Sequence, residues 1–479
     1  MYRKMKSLYD ILIMVILTNY DLSANLNLLE NFVCRYTSLC ILLRLTSIGH
    51  ALELKKRGSR MAYKSILVVG GGISGLTAAV EASEAGSEVY LVEAKSYLGG
   101  RVAQMNQYFP KLCPPNCGLE INFKRIKQNP RIKFFTLAEV EAIEGQEGDF
   151  TVTVKSNPRY VNQNCTACGK CVEVCPVERP NDFNYGMDKT GAIYKAHEFA
   201  FPMKYVIDDK VCLGTECGKC VSACQYGAIE LDMTAKSFKL NVGSIVWATG
   251  WEPYDATKVD YYGFGRHQNV ITNVMMERLA AINGPTGGKI VRPSDGKEVK
   301  SIAFVQCAGS RDENHLTYCS GVCCMASLKQ STYVKKQYPD SKVYMFYIDV
   351  RAMGKHEEFY VKVQDDINMI KGKVGEISED PLTHDLTVQV ENQLTGEIMK
   401  EKVDMVVLAT GMVPATVRSK VPVETTYDED GFIAWDSQQP GIYGTGCVKK
   451  PLDVASSVKD ATAAALKAIQ STVRRRHNG

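Results

Sequence analysis

From residue 64 onward the apolar residues come in short dense runs separated by glycine or polar turns. Lys64 to Val69 reads as a strand, the glycine-rich stretch ending at Gly75 as a turn, Leu76 to Ala85 as a helix, and Glu88 to Val92 as the next strand. The alternation returns later, with a strand over Ser301 to Gln306, a helix over Met325 to Gln337 and a strand over Lys342 to Tyr347. Strand, turn, helix and strand in this order predict an α/β fold built on parallel sheets. A last helix is expected over Ala455 to Val473.

The chain's 479 residues exceed one ordinary core, so two or three domains are expected. A formal net charge of +4, spread along the chain, gives no electrostatic case for nucleic acid. The basic tail Arg474-Arg475-Arg476-His477 reads as a solvated helix end. Beyond the first sixty residues no apolar stretch is long enough to span a bilayer, so membrane contact is expected only through a partner. In those first residues Arg3-Lys4-Met5-Lys6 precedes the apolar run Ile11 to Leu17, much as in a short signal peptide. The run is short and no small-residue cleavage site follows closely. The competing reading starts translation at Met61, which leaves residues 1–61 as an extension and Cys34 and Cys40 without a role.

Seventeen cysteines change the picture more than charge does. A disulfide framework suits short chains without a core, whereas twelve of these thiols fall into three tight groups with ligand-like gaps. That spacing predicts metal thiolates and a reducing compartment, the cytoplasm.

Gly70-Gly71-Gly72-Ile73-Ser74-Gly75 is a G-x-G-x-x-G turn between strand and helix. Gly70 permits the tight turn, Gly72 lets a pyrophosphate approach the backbone, Gly75 lets helix pack on strand, and the helix N-terminus supplies partial positive charge. Glu93, 18 residues past Gly75, ends the second strand where an acid accepts ribose hydroxyl protons and disfavours a 2′-phosphate. FAD is favoured over NAD because Gly99-Gly100-Arg101 follows shortly, a pattern of two-dinucleotide flavoproteins. Here the chain resembles the thioredoxin-reductase-like superfamily. The strand ends Ile245 to Gly250 and Val406 to Gly411, and the segment Gly441 to Gly446, match its other landmarks, with Cys447 where an aspartate contacting the flavin ribityl chain is usual. The resemblance implies flavin contacts at Gly70, Gly72, Ile73, Ser74, Gly75, Glu93, Ala94, Gly100, Arg101, Val140, Ala248, Thr249, Gly250, Gly446, Cys447, Asp453 and Val454.

Between the flavin-binding parts stands Cys165-x2-Cys168-x2-Cys171-x3-Cys175-Pro176, the bacterial ferredoxin run, whose fourth cysteine ligates the other cluster. Downstream is Cys212-x4-Cys217-x2-Cys220-x3-Cys224, with a longer first gap and Gln225 in place of proline. Crosswise ligation then gives Cys165, Cys168, Cys171 and Cys224 one [4Fe–4S] cluster, and Cys212, Cys217, Cys220 and Cys175 the other. Tetrahedral zinc is the competing metal. The long loop Val177 to Asp209, carrying Phe183, Tyr185, Tyr194, Phe199 and Phe201, is expected to cap the clusters or form a docking surface.

A third group, Cys307, Cys319, Cys323 and Cys324, lies where the second strand–helix unit would carry a nicotinamide-binding glycine loop. Two readings stay open: a noncubane-motif [4Fe–4S] site beside the flavin, and a vicinal disulfide or active dithiol. With a cluster there, electrons enter and leave through proteins and not through a soluble hydride donor. Cys113 and Cys117 are spaced like a redox dithiol, but Pro114-Pro115 stiffens the turn, so packing or a cluster-edge role competes. Arg351, Lys355 and His356 read as a solvated loop near the flavin edge or a partner.

Over roughly residues 62–473 the chain resembles the A-subunit family of heterodisulfide reductases, which shares the Cys-x(about 12)-Cys-x3-Cys-Cys signature, the ferredoxin insert, and Gly446-Cys447 followed by Pro451-Leu452-Asp453. The resemblance implies a thioredoxin-reductase-like two-dinucleotide-binding flavoprotein with an inserted α+β bacterial-type ferredoxin domain. The expected boundaries are 62–156 and 241–295 for the flavin domain, 157–240 for the insert, 296–411 for the nicotinamide-domain-like part, and 412–479 for the flavin domain's end. Within the family the chain looks most like the corresponding component of the quinone-interacting membrane-bound oxidoreductase of sulfate reducers. That likeness implies a complex linking menaquinol to adenylylsulfate reductase in sulfate respiration, peripheral on the inner face of the membrane. Its other members would be a membrane quinone-reactive subunit, together with a second flavin/iron–sulfur subunit. The alternatives are the A-subunit of a soluble heterodisulfide reductase complex, with flavin-based electron bifurcation, and a pure relay or scaffold subunit.

Overall fold

The computed structural model describes residues 65–434 and 439–474. The signal-like run, Cys34, Cys40, the Met61 start and the tail past Arg474 lie outside them. Ile66–Val69, apolar at every position and almost wholly buried, is the centre of a parallel five-stranded sheet. Parallel strands are covered on both faces, which is why this run does not alternate with polar residues. The sheet runs Ile442–Gly444, Ser244–Trp247, Ile66–Val69, Val89–Glu93, Ile132–Thr136. One face packs against the Ile73–Glu84 helix and the C-terminal Val454–Arg474 helix. On the latter, Ala461, Ala464, Ala465 and Ala468 form a buried stripe at helical spacing, small enough to let the two helices close on each other. The opposite face packs against a three-stranded antiparallel sheet, Ala138–Gln146, Asp149–Ser156 and Lys236–Val242. There the period is two, with Phe150, Val152 and Val154 buried between partly exposed threonines.

The insert is the loop of a hairpin. Ser156 stands opposite Lys236, so the chain leaves the antiparallel sheet after residue 156 and rejoins it at 236, not 240. Two strands that must stay in register hold both ends of the excursion.

The second half repeats the plan with Val270–Thr272, Met405–Thr410, Ser301–Ala308, Lys342–Tyr347 and Asn368–Lys371 in one parallel sheet, backed by Val374–Glu379, Leu386–Glu391 and Ile398–Val403. This moves an expected boundary. The sequence reading puts residues 270–280 in the flavin domain, but Val270–Thr272 pairs in parallel with Val406 to Leu408, and the Asn273–Ala280 helix packs within the second core. A three-residue strand without a glycine turn leaves little signal to read. The halves are joined by a two-stranded ladder, Trp251–Pro253 against Met412–Pro414. Among the described residues no helix is long and apolar enough to cross a membrane.

Candidate functional site

After Val69 the backbone turns at Gly70 with φ +105°, where a Cβ would stand 2.3 Å from the Ala248 carbonyl oxygen. Only glycine fits that approach. The Ile73–Glu84 helix then starts from an extended Gly72 with no side chain capping its first turn, which leaves its N–H groups open to a cavity of about 580 Å³. A Cβ on Gly72 would meet nothing closer than the Gly100 Cα at 3.9 Å, so the bare backbone preserves space for a ligand. Gly75 acts underneath: a Cβ there would lie 1.8 Å from the Gly70 carbonyl oxygen.

Glu93, at the end of the second strand, is buried and lines the same cavity. Its carboxylate accepts the Gly71 N–H at 2.6 Å and the Lys95 N–H at 2.7 Å. Burial raises its pKa, and the two backbone hydrogen bonds oppose the rise. Thr249 Oγ1 also lines the cavity, buried without a hydrogen-bond partner, as expected of a group kept for a bound polar ligand. An open helix terminus, an acid at the second strand end and an orphaned hydroxyl fit an adenine dinucleotide.

Of the positions expected to hold flavin, Gly70, Gly72, Ile73, Ser74, Glu93, Gly100, Arg101, Ala248, Thr249, Gly250, Cys447, Asp453 and Val454 line this cavity. Four do not. Gly75 supports the turn, Gly446 packs on Ser74, Ala94 is exposed behind Glu93, and Val140 packs in the core between the first sheet and its antiparallel neighbour. Asp460, one helix turn and more inside the last helix, accepts the Gly446 N–H at 2.8 Å, the Thr445 hydroxyl at 2.9 Å and the Lys449 ammonium at 2.7 Å. It ties down the turn that Cys447 occupies. The Cys447 thiol is buried and donates to the Leu452 carbonyl at 3.4 Å. Arg351 and His356 line the cavity, and His356 packs on Phe109 at 4.9 Å.

Sequence reading missed the wall that the second half supplies. Glu277 and Lys329, both nearly inaccessible, form an ion pair at 3.0 Å facing the cavity. Gln330 donates to Glu277 at 2.8 Å, as does the Asn106 N–H at 2.9 Å, so the buried charges are multiply hydrogen bonded, as burial demands. The available signal was a lysine on a helix that is buried nearly all round.

In the insert, Cys165, Cys168, Cys171 and Cys224 line one small cavity, and Cys175, Cys212, Cys217 and Cys220 line another. These are the two crosswise sets. The short helices Lys170–Glu173 and Lys219–Ala223 each start from a left-handed glycine, Gly169 and Gly218, the local cause of the repeated Gly-Lys-Cys. Backbone N–H groups of Gly214 and Ala228 point at the Cys212 and Cys224 sulfurs, at 3.4 and 3.3 Å. The thiols surround a void; among the described residues no three His, Cys, Asp or Glu side chains meet as one metal ion requires. Burial, with the neighbouring Cys165 adding to it, pushes the Cys171 thiol up to about 11, so coordination is needed to hold it deprotonated.

The long loop covers the cysteine cavities: Val177, Ala192, Ile193 and Ile207 line one, and Ile193 and Tyr205 the other. Two of its aromatic residues also pack on the flavin half: Phe201 stacks on Phe123 at 5.0 Å, and buried Phe183 meets Tyr97 edge-on at 5.7 Å.

Cys307 closes the Ser301–Ala308 strand with φ +55°, while Cys323 and Cys324 open the Cys323–Gln337 helix. Burial, then the charge of Cys324, pushes Cys307 up to about 11; burial and the three neighbouring thiols raise Cys323 still further. In the turn between Cys319 and Cys323, Ser320, Gly321 and Val322 line the main cavity. Cys113 and Cys117 stay outside it, although Tyr108, whose N–H donates to the Cys113 carbonyl, is part of its wall.

Residues 65–114 match the model of FAD dependent oxidoreductases, and residues 112–228 that of the 4Fe-4S dicluster domain. One of the iron-sulfur A-subunits of CoB–CoM heterodisulfide reductase from Methanopyrus kandleri, the form numbered 2, is 41% identical over 418 residues, covering 84% of this chain and 63% of that protein. The iron-sulfur A-subunit of the CoB–CoM heterodisulfide reductase of Methanocaldococcus jannaschii is 39% identical over 420 residues, with the same coverage of 84% and 63%. Over 84% of its length the chain is similar to heterodisulfide reductase A-subunits. It spans 63% of the length of these relatives. FAD and [4Fe–4S] clusters are its cofactors. The doubled sheet plan with an inserted dicluster unit is a mixed α/β flavoprotein architecture. A thioredoxin reductase from T. acidophilum aligns over 86% of this chain and 99% of its own, at a TM-score of 0.48 and 16% identity.

Proposed function

We propose that this chain is the flavin and iron–sulfur electron-transfer subunit of a heterodisulfide reductase-type complex, working with other redox subunits. The observation that carries the reading is the arrangement of thiols: two four-cysteine cavities in an insert whose Tyr185 lines the flavin pocket, and a third cysteine group whose Cys319 and Cys323 flank the wall residues Ser320, Gly321 and Val322 in sequence. Within the pocket, Glu93 holds the ribose, the N-terminus of the Ile73–Glu84 helix takes the pyrophosphate, and the Val454–Arg474 helix, begun by Asp453 accepting the Ser456 N–H at 2.7 Å, aims its positive end at the same cavity. Glu277 and Lys329 set a fixed charge pair along the opposite wall, and Val322 and Met325 keep water from that side. When bound, the flavin links carriers of electron pairs to clusters that carry single electrons. Cys165, Cys168, Cys171 and Cys224 hold one cluster, Cys175, Cys212, Cys217 and Cys220 the other, and Cys307, Cys319, Cys323 and Cys324 a third.

The relatives' names favour the soluble heterodisulfide reductase reading over the quinone-linked one expected from sequence, since they describe CoB–CoM heterodisulfide reductase subunits. A complex with adenylylsulfate reductase and a membrane quinone subunit therefore stands second. Anaerobic purification from native cells tests the choice. Co-purification with soluble iron–sulfur reductase subunits, one FAD per chain and no flavin bleaching by NADH is the expected result; a haem-bearing quinone subunit in the complex overturns it in favour of the second.

A further inference from the structure

The flavin cavity is not built by the flavin domain alone. Ten residues past Cys175, the insert makes a tight bend in which the Asn181 side chain accepts the Phe183 N–H at 3.1 Å and Tyr185 takes a left-handed backbone with φ +54°. A tyrosine in that region is strained unless its surroundings hold it there. Here they do. Arg101 Nη1 donates to the Tyr185 hydroxyl at 3.0 Å, and the hydroxyl donates to Gln104 at 3.3 Å. Gln104 in turn donates to the Phe183 carbonyl at 3.0 Å. Arg101 is itself fixed, its Nε donating to the Trp251 carbonyl at 2.9 Å and its guanidinium lying 5.3 Å from the Trp251 ring centroid. On the far side of the bend, Asn184 accepts from the wholly buried Arg278 at 2.8 Å, and Arg278 lies 4.6 Å from the Phe183 ring centroid.

Three consecutive residues thus hold the insert to both halves, but they do different things. Phe183 and Asn184 are buried away from the cavity, whereas Tyr185 lines it, next to Arg101 and Gln104. A purely structural tie needs only the first two. A strained tyrosine carried into the wall and held by two cavity-lining side chains is placed to meet the ligand.

We propose that Tyr185 is a flavin-site residue donated by the ferredoxin insert, positioning both the bound flavin and Arg101, so that flavin retention depends on the insert as well as on the glycine turn. The proposal rests on the reading of this cavity as the flavin site. It gives the insert a second role beside housing clusters: its backbone closes the pocket that its clusters serve.

The test uses anaerobically purified holoprotein as wild type, Y185F and Y185A. Four quantities are measured: the FAD dissociation constant from flavin fluorescence, the visible circular dichroism of the bound flavin, acid-labile iron, and the melting temperature. Y185F, which keeps the ring and loses the hydroxyl, is expected to weaken FAD about threefold to tenfold and change the flavin dichroism, with iron content and melting temperature as in wild type. Y185A is expected to weaken FAD more than about tenfold, with iron content still unchanged. Wild-type FAD affinity and dichroism in Y185F overturn the proposal, whatever Y185A does to stability. Wild type that binds no FAD is a different failure, since it removes the cavity reading and not the role of Tyr185.

Discussion

The two halves of the chain are built on one plan and diverge at one turn. Each has a parallel five-stranded sheet whose central strand leads into a helix, backed by three antiparallel strands. In the first half the helix begins at Ile73, four residues past the strand's last residue, Val69. The glycines between them leave the helix terminus open to a ligand. In the second half the helix begins at Cys323, fifteen residues past Ala308, and the intervening turn folds back on the strand, with Leu316 N–H donating to the Gly309 carbonyl at 3.0 Å and Arg311 pairing with Asp349 at 2.5 Å. Thiols stand at both ends of the turn. On one shared scaffold the two turns thus differ in length and in chemistry.

The sharpest way to break that contrast is to close the open turn. Gly75→Ala puts a methyl group 1.8 Å from the Gly70 carbonyl oxygen, a backbone atom that cannot step aside. We expect loss of FAD from the purified protein and destabilisation of more than about 2 kcal/mol, read as a fall in melting temperature. Next in size is the closed turn. Cys323→Ala should lower iron by about one to four per chain, since loss of one thiolate weakens a [4Fe–4S] cluster. FAD content should remain. Unchanged iron would instead favour a dithiol at Cys323 and Cys324. Glu93→Gln probes the open turn more gently: its oxygens keep their geometry and lose their charge, so FAD should bind about tenfold more weakly, measured by fluorescence titration.

What could be read from sequence divides along the same line. The glycine turn and the ferredoxin run were legible because each residue's role is local: a glycine at φ +105°, an acid at a strand end, thiols three residues apart. The crosswise sorting of eight cysteines into two cavities was legible for the same reason. Glu277 and Lys329 were not, because their role comes from the packing of the second half on the first, and neither sits in a motif. Val140, whose place beside the flavin was implied by resemblance alone, does not line the cavity and packs, partly buried, against the core behind the sheet. Val270–Thr272 carries too few residues to show which sheet it joins. Tyr185 appeared only as one aromatic in a long loop, because its function depends on where residues far along the chain place Arg101 and Arg278.

The smallest effect concerns how each half fastens the end of a strand. In the second half the Thr410 hydroxyl donates to the neutral Asn273 side chain at 3.0 Å. In the first, Asp460 holds the Thr445–Gly446 turn and pairs with Lys449 at 2.7 Å, both side chains about one-fifth exposed. Burial pushes the Asp460 carboxyl up, but Lys449 and the Gly446 N–H outweigh it and hold the group below its ordinary 3.8. A carboxylate with a depressed pKa stabilises the fold fully above its unfolded value and loses that contribution only as the pH falls through the folded value. Asp460→Asn should therefore cost about 1 kcal/mol at pH 7, discounted for partial exposure. The deficit should stay constant between pH 8 and about 5, because the carboxylate remains charged across that range. Denaturant melts of the two proteins at several pH values in this window provide the measurement. A deficit already shrinking by about pH 5 would mean that Asp460 titrates higher than its partners allow, and the first half would then be fastened, like the second, by neutral hydrogen bonds.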